Sequence, residues 1–144
     1  MGKPPHYTPA IYPCHADGLS AEPATSDAAV CYTAPVKIPS FPLTTTDWSS
    51  VPRTEHPGES GTAYWRTQTW GEIRVRMVEY SAGYLADHWC SKGHILLCLE
   101  GELETELADG RWFTLGPGMS YQAGDGDPPH RSATKGGAKL FVVD

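Results

Sequence analysis

Glycine and proline interrupt this chain more often than they do an ordinary globular protein. Together the 15 glycines and 13 prolines are about a fifth of the 144 residues, against roughly an eighth in average sequences. Because these two residues are the least favourable ones in the interior of a helix, a helical bundle is excluded. The chain is expected to fold instead as many short strands joined by turns.

Length, hydrophobic content and charge narrow the remaining possibilities. The length suits one domain, and 40% hydrophobic residues, including 5 Trp and 7 Tyr, are enough for a core. The formal net charge of -6 disfavours non-specific binding to nucleic acid or anionic membranes. No stretch has the ~20 apolar residues of a membrane span, and the first residues lack the apolar run of a secretory signal. We therefore expect a soluble, cytoplasmic protein with neither a nucleic-acid nor a membrane partner.

Proline is concentrated in residues 1–40, which hold seven of the 13 prolines and no extended strand or helix pattern. We interpret this segment as a Pro-rich N-terminal extended arm. It is either a flexible tail or an arm anchored by its aromatic and apolar residues on the domain or on a neighbouring subunit. Cys14 and Cys31 could pair, although four cysteines are too few for a disulfide scaffold. The folded domain is expected to cover residues 41–144.

After residue 41 the sequence consists of short runs rich in aromatic and β-branched residues, separated by glycine-containing turns. One run alternates Glu with Leu or Thr, as expected of a half-buried strand, and Asp109-Gly110 is a strong hairpin signal. The predicted strands are Thr62–Trp70, Glu72–Tyr80, Tyr84–Cys90, His94–Glu100, Glu102–Leu107, Arg111–Leu115, Ser120–Ala123, Arg131–Thr134 and Ala138–Val143. Eight or nine short strands without a helix predict an all-β sandwich or barrel.

The string Asp87–Cys90, followed by His94 and, far downstream, by His130, carries most of the chemical information in the sequence. If the run that ends at Cys90 is a strand, His88 and Cys90 point to the same face, and His94 can join them after the intervening turn. Imidazole and thiolate are ligands that Zn and other first-row transition metals prefer. A nucleophilic Cys90 activated by a histidine is the alternative, but metal binding explains more of the cluster.

Two stretches of the chain resemble the two motifs of the cupin superfamily. The first motif, G-x5-H-x-H-x3–4-E-x6-G, resembles Gly83-x4-His88-x-Cys90-x3-His94-x6-Gly101. The second, G-x5-P-x-G-x2-H-x3-N, resembles Gly118-x5-Gly124-x-Gly126-x3-His130. The D-H-W-C string is similar to that of the small cupins grouped by a DHCW motif. The resemblance implies a cupin-type β-barrel or jelly roll, a double-stranded β-helix, over residues 41–144.

The resemblance also implies one divalent transition metal, held by His88, Cys90, His94 and His130. In the motifs, Cys90 stands in a His position, His94 in the Glu position, and Thr134 where the family often has Asn. Three His and one Cys form a softer donor set than the usual one, which favours Zn, Fe, Ni or Cu over Mn or Mg. A closed sphere of four ligands would indicate a structural metal, whereas an open position would indicate catalysis.

Several aromatic and basic residues are candidates for the wall of a pocket beside the metal. Arg74 and Arg76 share a face of their predicted strand. Two arginines facing into a barrel would suit an anionic substrate, although placement on the surface is the alternative. Tyr64, Trp65 and Tyr121 are the aromatic candidates. Among the neighbours, three have simpler interpretations: a loop residue for His56, a surface or turn residue for Asp87 and a buried core thiol for Cys98.

Two functions fit these features best. One is a metal-dependent enzyme that acts on a small organic molecule by oxygenation, isomerisation or lyase chemistry. The other is a non-catalytic module that binds a metal or a small ligand, and a purely structural domain is a third alternative. An open coordination position beside a pocket of about 300 Å³ or more would favour the enzyme.

The resemblance to small cupins further implies a homodimer, and the apolar strand Ile95–Leu99 suits burial on both faces.

Overall fold

The structure is a computed structural model that describes residues 38–144. This part of the chain consists of nine strands joined by turns and loops, without a helix, so the prediction of an all-β fold is confirmed. None of these residues forms a helix with the length and hydropathy of a membrane span. The predicted arm, except for its last three residues, and the pairing of Cys14 with Cys31 lie outside the described residues.

The strands form two antiparallel sheets. They are β1 Arg53–Pro57, β2 Thr62–Trp70, β3 Ile73–Tyr80, β4 His94–Gly101, β5 Leu103–Leu107, β6 Trp112–Leu115, β7 Ser120–Ala123, β8 His130–Ala133 and β9 Ala138–Val143. The larger sheet has the order β1-β2-β3-β9-β4-β7, and the smaller has the order β6-β5-β8. Since β9 pairs between β3 and β4, the end of the described chain completes the larger sheet.

The core lies between the two sheets. Its largest fully buried side chains are Leu103, from the smaller sheet, and Cys98 and Leu140, from the larger. Burial of each leucine contributes about 2 kcal/mol. The interpretation of Cys98 as a buried core thiol is confirmed.

The alternation predicted for β5 is also confirmed. Leu103 is completely buried, while Glu104 and Glu106 on the other face form ion pairs with Lys135 and Arg131, at 2.8 and 2.7 Å respectively. Glu104 and Glu106 therefore lie on an outer face of the smaller sheet, where basic side chains pair with them.

One strand was not expected. Arg53–Pro57 forms β1 and pairs with β2, so the prediction that His56 lies in a loop is wrong. Its ring stacks on that of Trp65, with the ring centroids 3.9 Å apart. The run contains a proline, which argues against a central strand, but β1 lies at the edge of the sheet, where proline is tolerated.

The predicted strand Tyr84–Cys90 is instead an irregular crossing segment, which leaves the larger sheet after β3, runs along β8 of the smaller sheet and bends at Asp87 and His88. Its Leu85 forms bridges with Ser60 and with Ala133 of β8, and its Cys90 forms a bridge with His130 of β8. The bends at Asp87 and His88 interrupt the pairing with β8. The strand alternation that predicted a common face for His88 and Cys90 is therefore absent.

Candidate metal centre

Cys90, His94 and His130 converge on one cavity. Their ligand atoms, one sulfur and two imidazole nitrogens, all lie within 4.8 Å of one another. The backbones of Cys90 and His130 exchange two hydrogen bonds, at 2.8 and 2.9 Å, which fixes the crossing segment against β8. His94 comes from the first position of β4. Three of the four ligands predicted from the sequence are thus brought together.

Close packing at Gly93 fixes the position of His94. A Cβ at Gly93 would lie 2.7 Å from the backbone nitrogen of Asp125 and 2.9 Å from the carbonyl oxygen of Ala123. The Gly93 N–H also donates a hydrogen bond to the Asp125 carboxylate at 2.8 Å. Only a residue without a Cβ lets the two backbones approach this closely, so the turn before β4 is held against the loop after β7.

The hydrogen bonds of His94 determine which of its ring nitrogens is free. Its Nδ1 lies 3.1 Å from the carbonyl oxygen of Lys92, and because a carbonyl only accepts, Nδ1 carries the proton. The lone pair of Nε2 therefore points into the cavity, where the Tyr121 hydroxyl donates to it at 2.7 Å. The Nε2 atom of His130 lies 3.2 Å from the same nitrogen.

Both imidazoles are held in the neutral form at physiological pH. Burial, followed by the positive charges of His130 and Arg76, lowers the pKa of His94 to about 4. Burial also lowers the pKa of His130. Neutral imidazole is the form that binds metal ions.

The geometry of these groups fits a transition metal ion. Two nitrogen ligands bound at about 2.1 Å to a tetrahedral ion lie about 3.4 Å apart, which is close to the 3.2 Å between the Nε2 atoms of His94 and His130. Two imidazoles and a thiol suit Zn, Fe, Ni or Cu. The cluster therefore matches the metal class that the sequence predicts.

His88 lies in the wall of the same cavity but outside the group of three. Its side chain is 68% exposed, and its Nδ1 lies 2.6 Å from the Asp87 carboxylate. A carboxylate on one ring nitrogen orients the ring and leaves the other nitrogen for a ligand, an arrangement common around metal-binding histidines. To bind with the other three, the His88 side chain has to turn inward, and its role as the fourth ligand stays a prediction.

The cavity beside the cluster is small and mostly aromatic or polar. Its volume is about 90 Å³, less than the roughly 300 Å³ of a site for a drug-sized molecule. In addition to the cluster and His88, its wall contains Trp65, Arg76, Val78, Tyr80, Tyr84, Ala86, Leu96, Tyr121, Ser132 and Val142. A more open cleft of about 500 Å³, bordered by β5, β6 and β7, also reaches Tyr121 and His130.

The structure places Arg76 and Tyr121 in the cavity wall, and Tyr64 and Arg74 outside it. Tyr64 lies on the other face of β2, where an arginine of β1 covers its ring. Because neighbouring residues of a strand face opposite sides, Trp65 faces the cavity and lies in its wall, as predicted. Arg74 shares a face with Arg76 but lies near the start of β3, beyond the cavity, and its side chain is 46% exposed.

Three polar residues of the wall were missed in the sequence. Tyr80 follows Arg76 on β3 by four residues, and Ser132 follows His130 on β8 by two, so the period of a strand could have identified both. Tyr84 comes from the irregular crossing segment, where no such period exists. Its ring stacks on that of Tyr80 with the centroids 4.1 Å apart.

Comparison with known proteins identifies the fold. No protein-family model and no curated protein matches the chain, but solved structures do. An RmlC-like cupin from Shewanella frigidimarina matches with a TM-score of 0.59 and 15% identity, over 71% of this chain and 89% of that protein. The chain has the cupin fold.

Two further cupin-fold structures agree with this assignment. A sugar phosphate isomerase of the cupin superfamily from Silicibacter pomeroyi has a TM-score of 0.57 and 19% identity, over 69% of this chain and 74% of that protein. Fe(II)-HppE with an alternative substrate has a TM-score of 0.59 and 17% identity, over 71% and 60% of the two chains. These matches establish the fold, while the chemistry rests on the cluster itself. The narrower resemblance to the DHCW group stays a prediction.

Proposed function

We propose that this chain binds one divalent transition metal and is a metal-dependent enzyme acting on a small organic molecule. Cys90, His94 and His130 would hold the metal, with His88 as the fourth ligand. The observation that carries the proposal is the convergence of two neutral imidazole nitrogens and one cysteine sulfur in the wall of a cavity. When bound, such a metal supplies Lewis-acid or oxygen-binding chemistry.

Tyr121 supplies a hydrogen-bond donor at the cluster. Its hydroxyl lies 2.7 Å from Nε2 of His94, and burial raises the pKa of Tyr121 far above its ordinary value. The hydroxyl therefore stays protonated at physiological pH and donates rather than acting as a phenolate. When a metal takes the Nε2 lone pair of His94, the hydroxyl is free to donate to another acceptor, which suits the orientation of an oxygen atom of a substrate.

The space beside the cluster supports an enzyme over a purely structural metal site, because structural sites are closed by their ligands. Fe(II)-HppE, which shares the fold, combines iron with a substrate. The small volume of the cavity favours the second candidate, a non-catalytic module that binds a metal or a small ligand. The two candidates differ in whether a coordination position stays open to an incoming molecule.

Elemental analysis of the purified protein tests metal binding. We expect about one transition metal ion per chain, and its loss in Cys90→Ala and His130→Ala. Cys98→Ala and His56→Ala are the matched controls, since these residues lie outside the cluster, and should keep the metal. His88→Ala should lower the affinity if His88 is the fourth ligand. Metal well below one per chain in the wild type, or unchanged metal in His130→Ala, would refute the assignment of the site.

Cobalt substitution separates the enzyme from the closed binding module. The visible absorption of Co(II) depends on the number and kind of its ligands, so azide should change the spectrum of the cobalt protein if a position is open. His56→Ala protein serves as the control and should respond like the wild type. A spectrum unaffected by azide would favour the non-catalytic alternative.

A further inference from the structure

Arg76 places a positive charge in the wall of the cavity beside Cys90, His94 and His130. Its side chain is only 11% exposed, and its guanidinium lies over the ring of Trp65, 4.6 Å from the ring centroid. A buried guanidinium is stable only where its charge and its N–H donors have partners. The partners of Arg76 therefore indicate which ligand the cavity suits.

The protein's own carboxylate leaves Arg76 only partly satisfied. Asp144 accepts a hydrogen bond from Nη2 of Arg76 at 2.5 Å, but its two oxygens also accept from Nε and Nη2 of Arg74, both at 2.7 Å. One side-chain carboxylate is thus shared by two guanidinium groups. The Nε of Arg76 is buried and has no acceptor among residues 38–144.

A second donor without an acceptor lies in the same wall. The Nε1 of Trp65 is buried and unpaired within the described part of the chain, and its ring packs against the guanidinium of Arg76. The hydroxyl groups of the wall belong to Tyr80, Tyr84, Tyr121 and Ser132. No Asp or Glu of the described residues lines the cavity. The wall therefore holds two buried donors without an acceptor, next to the positive charge of Arg76.

We propose that the cavity binds the carboxylate of a small organic acid, with Arg76 and Trp65 as its hydrogen-bond donors. A carboxylate carries a negative charge, and its oxygens accept from both side chains. The volume of about 90 Å³ limits the acid to a few carbon atoms, since one water already needs about 10–15 Å³. This inference rests on the proposed function, because it names the chemical class of the small substrate.

Propionate and propionamide test the proposal, because they have nearly the same shape and differ in charge. Calorimetric titration into metal-free and into zinc-loaded protein measures both affinities. The indole N–H signals of ¹⁵N-labelled protein, with that of Trp65 assigned from Trp65→Phe, report on the second donor. We expect propionate to bind in the millimolar range and to shift the Trp65 signal, and propionamide to bind at least about tenfold more weakly. Equal binding of the two, or an unmoved Trp65 signal, would overturn the proposal.

Substitution of Arg76 provides an independent test. Arg76→Met should weaken propionate binding by at least about tenfold, because a charge-assisted hydrogen bond is lost. Arg53→Met is the matched control: Arg53 also lies over an aromatic ring, 4.1 Å from the centroid of Tyr64, but outside the cavity, and its loss should leave the affinity unchanged. Unchanged affinity in Arg76→Met would overturn the proposal. The Trp65 signal of the wild type decides the matter if Arg76→Met does not fold.

This proposal and the proposed metal function fail in different ways. If metal analysis finds no bound ion but metal-free protein binds propionate through Arg76, the carboxylate site stands and the metal function falls. If propionate binds only to zinc-loaded protein, and equally well in Arg76→Met, the metal alone holds the acid and the carboxylate site is wrong.

Discussion

Asp144 is a single carboxylate that serves two arginines of different burial. Its side chain is only 6% exposed; that of Arg76 is 11% and that of Arg74 is 46% exposed. Burial by itself would raise the pKa of Asp144, but the hydrogen bonds from Arg74 and the positive charges of both arginines hold it below its ordinary value. A carboxyl group with a lowered pKa contributes stability that is present above its unfolded pKa of about 3.9 and is lost as the pH falls through the folded pKa.

Asp144→Asn should lower the free energy of unfolding at pH 7 by about 3 kcal/mol, because Arg76 would keep a buried charge without its partner. Denaturant unfolding of variant and wild type, repeated from pH 7 down to pH 2, measures the effect. The difference between the two proteins should begin to shrink below about pH 4, where the carboxyl group of the unfolded chain takes up a proton, and should disappear below the lower pKa of the folded state. A difference that is the same at every pH would contradict the role of the charge.

Among the turns and strand ends, Gly101 is constrained twice, by its backbone angle and by its surroundings. It ends β4 with a φ of +75°, and a Cβ there would collide with the carbonyl oxygen of Gly137. Gly110, in the turn between β5 and β6, has a φ of +89° but open space around it. A comparison of alanine substitutions at the two positions therefore distinguishes the cost of backbone strain from the cost of steric overlap.

Gly101→Ala should lower the free energy of unfolding by about 3 kcal/mol, the sum of backbone strain and overlap with the backbone of Gly137. Gly110→Ala should cost only about 1–2 kcal/mol, the strain of a positive φ in a residue with a Cβ. Urea unfolding of both variants and the wild type measures the difference. Equal losses would show that the contact with Gly137 contributes nothing.

The alternation of apolar and polar residues within a run predicted most of the strands, but it did not predict the contacts between segments that are distant in the sequence. The alternation of Glu102–Leu107 indicates its buried face because each residue depends only on its own strand. The crossing segment Tyr84–Cys90 was also predicted as a strand, but its path depends on β8, far away in the sequence, and bends at Asp87 and His88. Spacing alone also leaves two neighbouring aromatic residues equivalent: Tyr64 and Trp65 fit the cavity equally well until the sheet determines which one faces inward.

The candidate site was predictable in its ligand types and only partly in its geometry. Cys90, His94 and His130 were chosen because thiol and imidazole groups occur at the spacing of the family motifs, and the structure brings these three together. The inward orientation of His88 was deduced from a strand that the structure does not contain. For Arg76 the sequence favoured the surface over the wall, because its burial depends on Asp144, far away in the sequence.

At the scale of the whole molecule, β4 is buried on one face only. Leu96 and Cys98 lie in the core, but Ile95 and Leu99 on the opposite face are 54% and 37% exposed. The second face is therefore exposed within residues 38–144 of a single chain. Its burial by a second copy of the chain, and with it the homodimer, stays a prediction.

If β4 forms the dimer interface, Ile95→Lys should convert the protein from a dimer to a monomer, because a charge would be placed against apolar surface. Light scattering coupled to size-exclusion chromatography over a range of concentrations measures the mass. Trp112→Lys is the matched control, since Trp112 is 55% exposed on the smaller sheet, and should remain a dimer. A monomeric wild type, or a dimeric Ile95→Lys, would refute this interface.

The three converging side chains belong to three separate pieces of the fold. His94 begins a strand of the larger sheet, His130 begins one of the smaller sheet, and Cys90 lies on the segment that crosses between them. An ion held by all three would cross-link the two sheets and close loops of the chain. The free energy of metal binding would then also oppose separation of the sheets. If the chain binds a metal, the supply of that metal would therefore affect how long the folded chain survives.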